Sequence, residues 1–320
     1  MMKRKISARA IVRVAVPLLL LALLGLALSY PDIIPFLRIE HPKYSGIDTV
    51  PITFKPGLRE VSFAMKKIPA GVSPRGCVDV PGKNVVASPF LLAETEVTGE
   101  LWFEVYERAK KDGFIFYGKA FCGSDRMTPI EAVSWRDAIV WCNALSAQLS
   151  LTPAYYANKA RTVPVNSVAE LDESADVVYV KNDANGFRLP SSAEWEFAAR
   201  YIDGVSWNKG SHPAGSKLDY FDQTWSAGYA VFDATSSSPV KSLSPTNLGL
   251  YDMSGNVWEW CFDRILDTGS TTAFDPEGKR VVRGGSWASN AYRLQIGGEF
   301  GSLPGTVERG QGFRVARSGW

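Results

Sequence analysis

The chain has 320 residues, with 35 Lys+Arg against 33 Asp+Glu and 46% hydrophobic residues. That is enough apolar material for one large core or two modest ones. Its four cysteines (Cys77, Cys122, Cys142, Cys261) lack CxxC spacing, and sequence fixes no pairing among them.

The N-terminus sets the compartment. MMKRKISARAIVR carries five positive charges and no negative one, and VAVPLLLLALLGLALS, Val14 to Ser29, is sixteen residues without a charge. A membrane-spanning helix usually takes ~20 apolar residues. With the small-x-small ending Ala27-Leu28-Ser29, residues 1–29 read as a secretory signal peptide. If uncleaved, they read as an N-terminal membrane anchor prolonged by YPDIIPFL. No cysteine follows the apolar run, so a lipoprotein anchor is not expected. Both readings export the rest of the chain, to a periplasmic, membrane-anchored or cell-surface location. Five of the 35 positive charges lie in the leader, so removing it leaves 30 against 33, about −3. A mildly acidic body has no electrostatic basis for binding nucleic acid.

Residues 30–59 are proline-rich without sustained periodicity and read as a tether, with the folded domain over 60–320. VSFAMKKIPAG (61–71) predicts a strand ending in a Pro-Ala-Gly turn. TGELWFEVYERAKKDG predicts a helix with Thr98 as N-cap and Gly113 past its end. SWRDAIVWCNALSAQL predicts a second helix capped by Ser134, with Ala138, Cys142, Leu145 and Leu149 on one face. Cys142 and Cys261, inside aromatic runs, are expected to be buried small hydrophobes. A third helix begins in RLPSSAEWEFAARY, where Ser191 and Glu194 have capping-box spacing. LTPAYYANKARTVPVNSVAELDESADVVYVKNDANGF, between the second and third helices, predicts a strand hairpin with a polar excursion. Beyond the third helix, Gly, Ser, Pro and Asn dominate for about a hundred residues. Short strands are expected there at VVRGG and GFRVAR. Loops this long are functional or disordered, and the Trp and Tyr within them argue for order.

GLYDMSGNVWEW, Gly249 to Trp260, is the most specific stretch. It predicts a tight turn at Ser254-Gly255-Asn256 and then an extended segment with Trp258 and Trp260 on one side and Glu259 on the other. Asp252 and Glu259 could offer oxygens to a hard cation. Alternatively, hydrogen bonds hold the turn and the tryptophans fill the core.

Together with FLLAETEVTGELW, GFRLPSSAEWEFAAR, RVVRGGSW and GFRVAR, this stretch resembles the formylglycine-generating enzyme (sulfatase-modifying factor) family. The five blocks keep the family's order from about Val61 to Arg317. The resemblance implies an α+β fold, an extended variant of the C-type lectin fold: one loop-rich domain with little regular structure. It also implies a calcium ion held by Asp252 and Glu259 through side chains and by Gly255 and Val257 through backbone carbonyls. Asp252 stands where the enzymes often have Asn. A second family calcium site finds no match in the SSSPVKSLSPTN region.

The family's oxidation uses two cysteines, three and eight residues past the serine of Gly-Gly-Ser, to bind copper as thiolates. Counted from Ser286, those places hold Ser289 and Leu294. No copper is therefore expected. The related iron-dependent branch needs a histidine cluster, whereas this chain has only His41 and His212. GGSWA is not the GxSxG elbow of a serine hydrolase.

What remains is a scaffold for binding. The expected binding residues lie over 286–311: Ser286, Trp287, Ser289, Asn290, Tyr292, Arg293, Glu299, Phe300 and Arg309. Tyr and Arg among Ser, Gly and Asn suit adaptable recognition loops. The arrangement also resembles the variable proteins of diversity-generating retroelements, which place their diversified residues between GGSW and GFR. An ordinary surface loop is the plain alternative. The expectation is an exported, non-catalytic protein that binds an unknown protein or small-molecule ligand. A formylglycine-generating oxidase, another activity in the same cleft and a structural envelope component are its rivals.

Overall fold

The computed structural model describes residues 48–319, apart from 58, 78–80, 119, 172–176, 223–227 and 266–277. The leader, with its signal-peptide or anchor expectation, and the tether up to residue 47 lie outside the described residues. No helix among the described residues is long and apolar enough to cross a membrane.

The first described element corrects the tether boundary. β1 (Thr49–Phe54) pairs antiparallel with β2 (Val61–Ile68) over six residue pairs, from Thr49↔Lys66 to Phe54↔Val61. Its alternation of exposed and half-buried residues, closed by buried Phe54, puts it in the sheet, whereas Pro51 and the proline-rich sequence around it had suggested a linker. After the hairpin β3 (Gly71–Gly76) and β4 (Pro81–Ala87), β5 (Phe90–Ala93) joins β2.

The three helices form where the caps lie. α1 (Gly99–Lys111) starts at Thr98, whose hydroxyl accepts from the Leu101 N–H at 3.2 Å. α2 (Trp135–Gln148) starts at Ser134, which accepts from the Asp137 N–H at 3.0 Å. α3 (Ser192–Arg200) has the full capping box: Ser191 accepts from the Glu194 N–H, and the Glu194 carboxylate accepts from the Ser191 N–H. Between α2 and α3 the expected hairpin is present as β6 (Tyr155–Tyr156) against β7 (Tyr179–Val180), followed by β8 (Phe187–Arg188). The second half carries β9 (Trp258–Arg264), β10 (Arg280–Arg283), β11 (Phe300–Ser302), β12 (Gln311–Gly312) and β13 (Ala316–Ser318).

One sheet runs β1-β2-β5-β13-β8 and another β11-β10-β9-β12. The last described strand therefore lies inside the sheet that begins with the first, between β5 and β8. Mixed α/β structure with few helices and, among the described residues, two larger open sheets beside two hairpins is the α+β, C-type lectin-like fold expected from the sequence.

The terminal Gly-Phe-Arg block explains how the halves are joined. A Cβ on Gly312 would lie 2.3 Å from the Ile130 carbonyl oxygen, so only glycine lets the chain pass there. Phe313 meets the stacked rings of Trp102 and Trp141 edge-on, at 6.0 and 5.5 Å, and so pins α1 to α2. Arg314, fully buried, pairs in bidentate fashion with Glu259, both contacts being 2.6 Å. Its other N–H groups donate to the carbonyls of Ala93, Glu94 and Tyr251. Glu259 accepts a further bond from the Trp195 indole at 2.7 Å.

Two stability predictions follow from these contacts. Ser191→Ala removes one half of the capping box and is expected to cost about 1 kcal/mol, read from the urea midpoint; an unchanged midpoint would contradict it. Arg314→Met strands a buried carboxylate, for which the loss is about 3–5 kcal/mol. A loss below about 1 kcal/mol would show that the pair is not buried as described.

Candidate functional site: the cleft of the 286–311 segment

β10 ends in Gly284-Gly285-Ser286, where both glycines have positive φ (88° and 80°). A Cβ on Gly285 would sit 2.7 Å from Leu294, so the glycine lets that leucine pack inward. The following turn closes on itself. Ser286 N–H donates to the Ser289 hydroxyl at 3.0 Å, Ser289 N–H donates to the Ser286 carbonyl at 2.9 Å, and the two hydroxyls are 3.3 Å apart. Neighbouring chain clamps it: Trp287 N–H donates to Asn256, and the N–H groups of Asp233 and Ala234 donate to Ser289 and Trp287.

Beside this turn is an open cleft of about 410 Å³. Trp258 and Phe300 form its aromatic part, with ring centroids 5.1 Å apart and edge-on. Arg293 lies over Phe300 at 4.4 Å and forms no ion pair with any described residue. Ser289, Asn290, Glu308 and Gln311 complete the polar lining. Trp258 shares its face of β9 with Trp260, which is buried in the core, where its indole donates to the Val133 carbonyl at 2.8 Å; Trp258 packs half-buried at the edge of that core and faces the cleft.

The structure thus brings Ser289, Asn290, Arg293 and Phe300 to one cleft. Ser286 is buried beneath the turn. Trp287 and Arg309 both donate to Glu131, at 3.3 and 2.9 Å, and Arg309 lies 3.7 Å over the Phe121 ring. Tyr292 is exposed and meets Tyr220 edge-on at 5.7 Å. Glu299 does not join them. It pairs with Arg75 at 2.8 Å and Arg283 at 3.2 Å, and accepts from the Ser192 hydroxyl. Burial raises its carboxyl, but Arg283, Ser192 and Arg75 outweigh that and hold it below the usual carboxylate range.

Glu131 escaped the sequence reading and organises this region. Fully buried, it accepts from Ser237, Trp287, Arg309 and the Gly310 N–H. A single acid within TPIEAVSW carries no motif, and its partners lie 106 to 179 residues away. Arg283 is a second such hub, fully buried on Glu196 and on the carbonyls of Ile296 and Gly298, where it shapes the chain leading to Phe300.

No thiol enters the cleft. Ser289 occupies one expected copper-ligand place, and at the other Leu294 is fully buried in an apolar cluster with Ala230. Cys142 and Cys261 are buried in the cores, where burial raises both thiols well above their ordinary range. Cys122 is half-buried beside α1, and its thiol is also raised by burial.

The calcium expectation fits the turn only in part. Asp252 has a left-handed backbone (φ 57°) and accepts from the Lys241 N–H at 3.0 Å. Burial raises its carboxyl to about 6. Gly255 is held tightly, since a Cβ there would sit 2.3 Å from the Val231 carbonyl oxygen. Val257 is buried. Glu259 does not fit a calcium ligand, because a guanidinium and an indole N–H already occupy its two oxygens. In sequence, a carboxylate after a tight turn reads the same whether its partner is a cation or an arginine 55 residues on.

Residues 52–319 match the family of sulfatase-modifying factor enzyme 1-like domains. Among curated relatives, a protein named chaperone protein LppX of Paenibacillus barcinonensis is 33% identical over 254 residues, covering 74% of this chain and 82% of that one. The mouse protein named inactive C-alpha-formylglycine-generating enzyme 2 is 29% identical over 74% of this chain and 78% of its own. Among solved structures, Treponema denticola variable protein 1 superposes with a TM-score of 0.65 at 31% identity, covering 84% of this chain and 99% of that one. The chain belongs to the sulfatase-modifying factor (formylglycine-generating enzyme) family.

Proposed function

We propose that this protein is an exported binding member of its family, which recognises a protein or small-molecule ligand through the 286–311 cleft and does not oxidise cysteine. The observation that carries the reading is the pairing of an open, aromatic-lined cleft with the chemistry at its edge. Volumes of this size suit ligand binding, while the places for two soft copper ligands hold a hydroxyl and an inward-turned leucine. Serine oxygen is a poor ligand for Cu(I), and leucine offers no donor atom. Arg293, 4.4 Å over the Phe300 ring and in no ion pair with a described residue, is a prepared anchor for a planar anionic or aromatic group.

Likeness to a protein named as inactive, and to one named as variable, supports recognition over oxidation. A membrane attachment through residues 1–29 belongs to the same proposal, as does placement outside the cytoplasm.

Two measurements test it. Incubating the purified chain with copper, oxygen and a CxPxR peptide is expected to yield no aldehyde by mass spectrometry; conversion above the protein-free control would overturn the non-catalytic reading. If the cleft recognises varying partners, substitutions among isolates should be denser over 288–311 than over the rest of 60–320. An even distribution would refute that specificity varies here.

A further inference from the structure

A second cavity, of about 370 Å³, shares no lining residue with the cleft. It lies between β4, the β6–β7 hairpin and the turn from β8 into α3. Its volume is that of a small-molecule site. Val85, Ala154, Val180, Ala184 and Leu189 give it aliphatic walls. Its aromatic wall is Phe262, whose ring is stacked on Tyr155 with centroids 5.5 Å apart.

The polar groups of the lining set the chemistry of an occupant. Glu194 is the only acid among the described lining residues, and Arg188 neutralises it through two contacts of 2.7 and 2.6 Å. Arg188 also donates from Nε to the Ser318 hydroxyl at 3.0 Å. Lys181 is therefore the unbalanced charge of the cavity. Its ion-pair partner, Asp183, stands 3.8 Å away and is 82% exposed, where water screens the attraction. The Lys181 N–H donates to the Ala154 carbonyl at 2.9 Å, which sets this lysine beside Tyr155. Tyr155 is 1% exposed; its hydroxyl accepts from the Leu189 N–H at 2.8 Å, and its own proton meets no acceptor among the described residues. A buried O–H ordinarily finds one. Burial pushes that hydroxyl well above the usual phenol range, so it keeps its proton and stays a donor. Aliphatic walls, one unbalanced cation and one unused O–H donor complement an anion on an apolar body. An organic cation would find no counter-charge there, because Arg188 already holds Glu194.

We propose that this cavity binds a medium-chain aliphatic carboxylate, with its head group toward Lys181 and the Tyr155 hydroxyl and its chain along Val85, Ala184 and Leu189. The site is independent of what the cleft binds.

Calorimetric titration of the purified full-length chain with sodium octanoate is expected to saturate at one ligand per chain. Hexanoate, two methylenes shorter, should bind about tenfold more weakly, and octylammonium, with the same chain and the opposite charge, should not bind. Lys181→Met keeps the aliphatic stem and should weaken octanoate at least about tenfold, while Lys181→Arg should hold it within about threefold. No saturable octanoate binding by the wild type would overturn the site, as would equal binding of octylammonium or undiminished binding by Lys181→Met. Loss of binding in Arg293→Ala but not in Lys181→Met would place the anion in the cleft and overturn it as well.

Discussion

The buried pair of Arg314 and Glu259 is the contact on which the rest of the molecule depends. Moving both charges out of water is costly, and the attraction between them offsets that cost only when the remaining donors are satisfied. Here they are. Each arm of the guanidinium finds an acceptor, and the carboxylate adds an indole N–H from α3. The pair fixes the register of β9 as well as its position. A slip of one residue would send Glu259 toward the cleft and Trp258 into the ion pair. The cleft's aromatic floor is therefore set by an interaction on the opposite face of the same strand.

A second consequence is that the cleft does not depend on regular structure. Its walls are loops, held by buried acids and arginines that work as hubs: Glu131 under Trp287, Arg309 and Gly310, and Arg283 under the chain before Phe300. Arg283 acts on the backbone carbonyls of Ile296 and Gly298, and Glu131 on the Gly310 N–H as well as on the side chains of Ser237, Trp287 and Arg309. The fold can then persist when thiols are absent. Ser289 is bound into its own turn and Leu294 into its own apolar cluster, and neither leaves a vacancy that a sulfur must fill.

Local signals were legible in the sequence and long-range ones were not. Thr98, Ser134 and Ser191 announce the helices because a cap acts on N–H groups two or three residues away. The alternation in VWEW gave the facing of Trp258, Glu259 and Trp260 correctly, since it follows from the pleat alone. The tether boundary failed for a physical reason: Pro51 in an edge strand looks like linker sequence, and edge strands are where proline is tolerated. The contacts of Glu131 and the withdrawal of Glu299 toward Arg75 depend on segments about 100 to 220 residues apart, and no short pattern encodes them. For the cleft, sequence supplied the segment and four of its lining residues. It missed Trp258 as part of the same surface, because its approach to Phe300 is a product of β9 and β11 sharing one sheet.

The account stands or falls on the absence of a sulfur-ligated metal from the cleft. X-ray absorption at the copper edge, recorded on the purified chain after loading with one equivalent of Cu(I) and washing, examines that most directly. The account predicts no retained copper with two sulfur neighbours. A stoichiometric, two-sulfur Cu(I) centre that survives mutation of the surface-accessible Cys77 and Cys122 would contradict it.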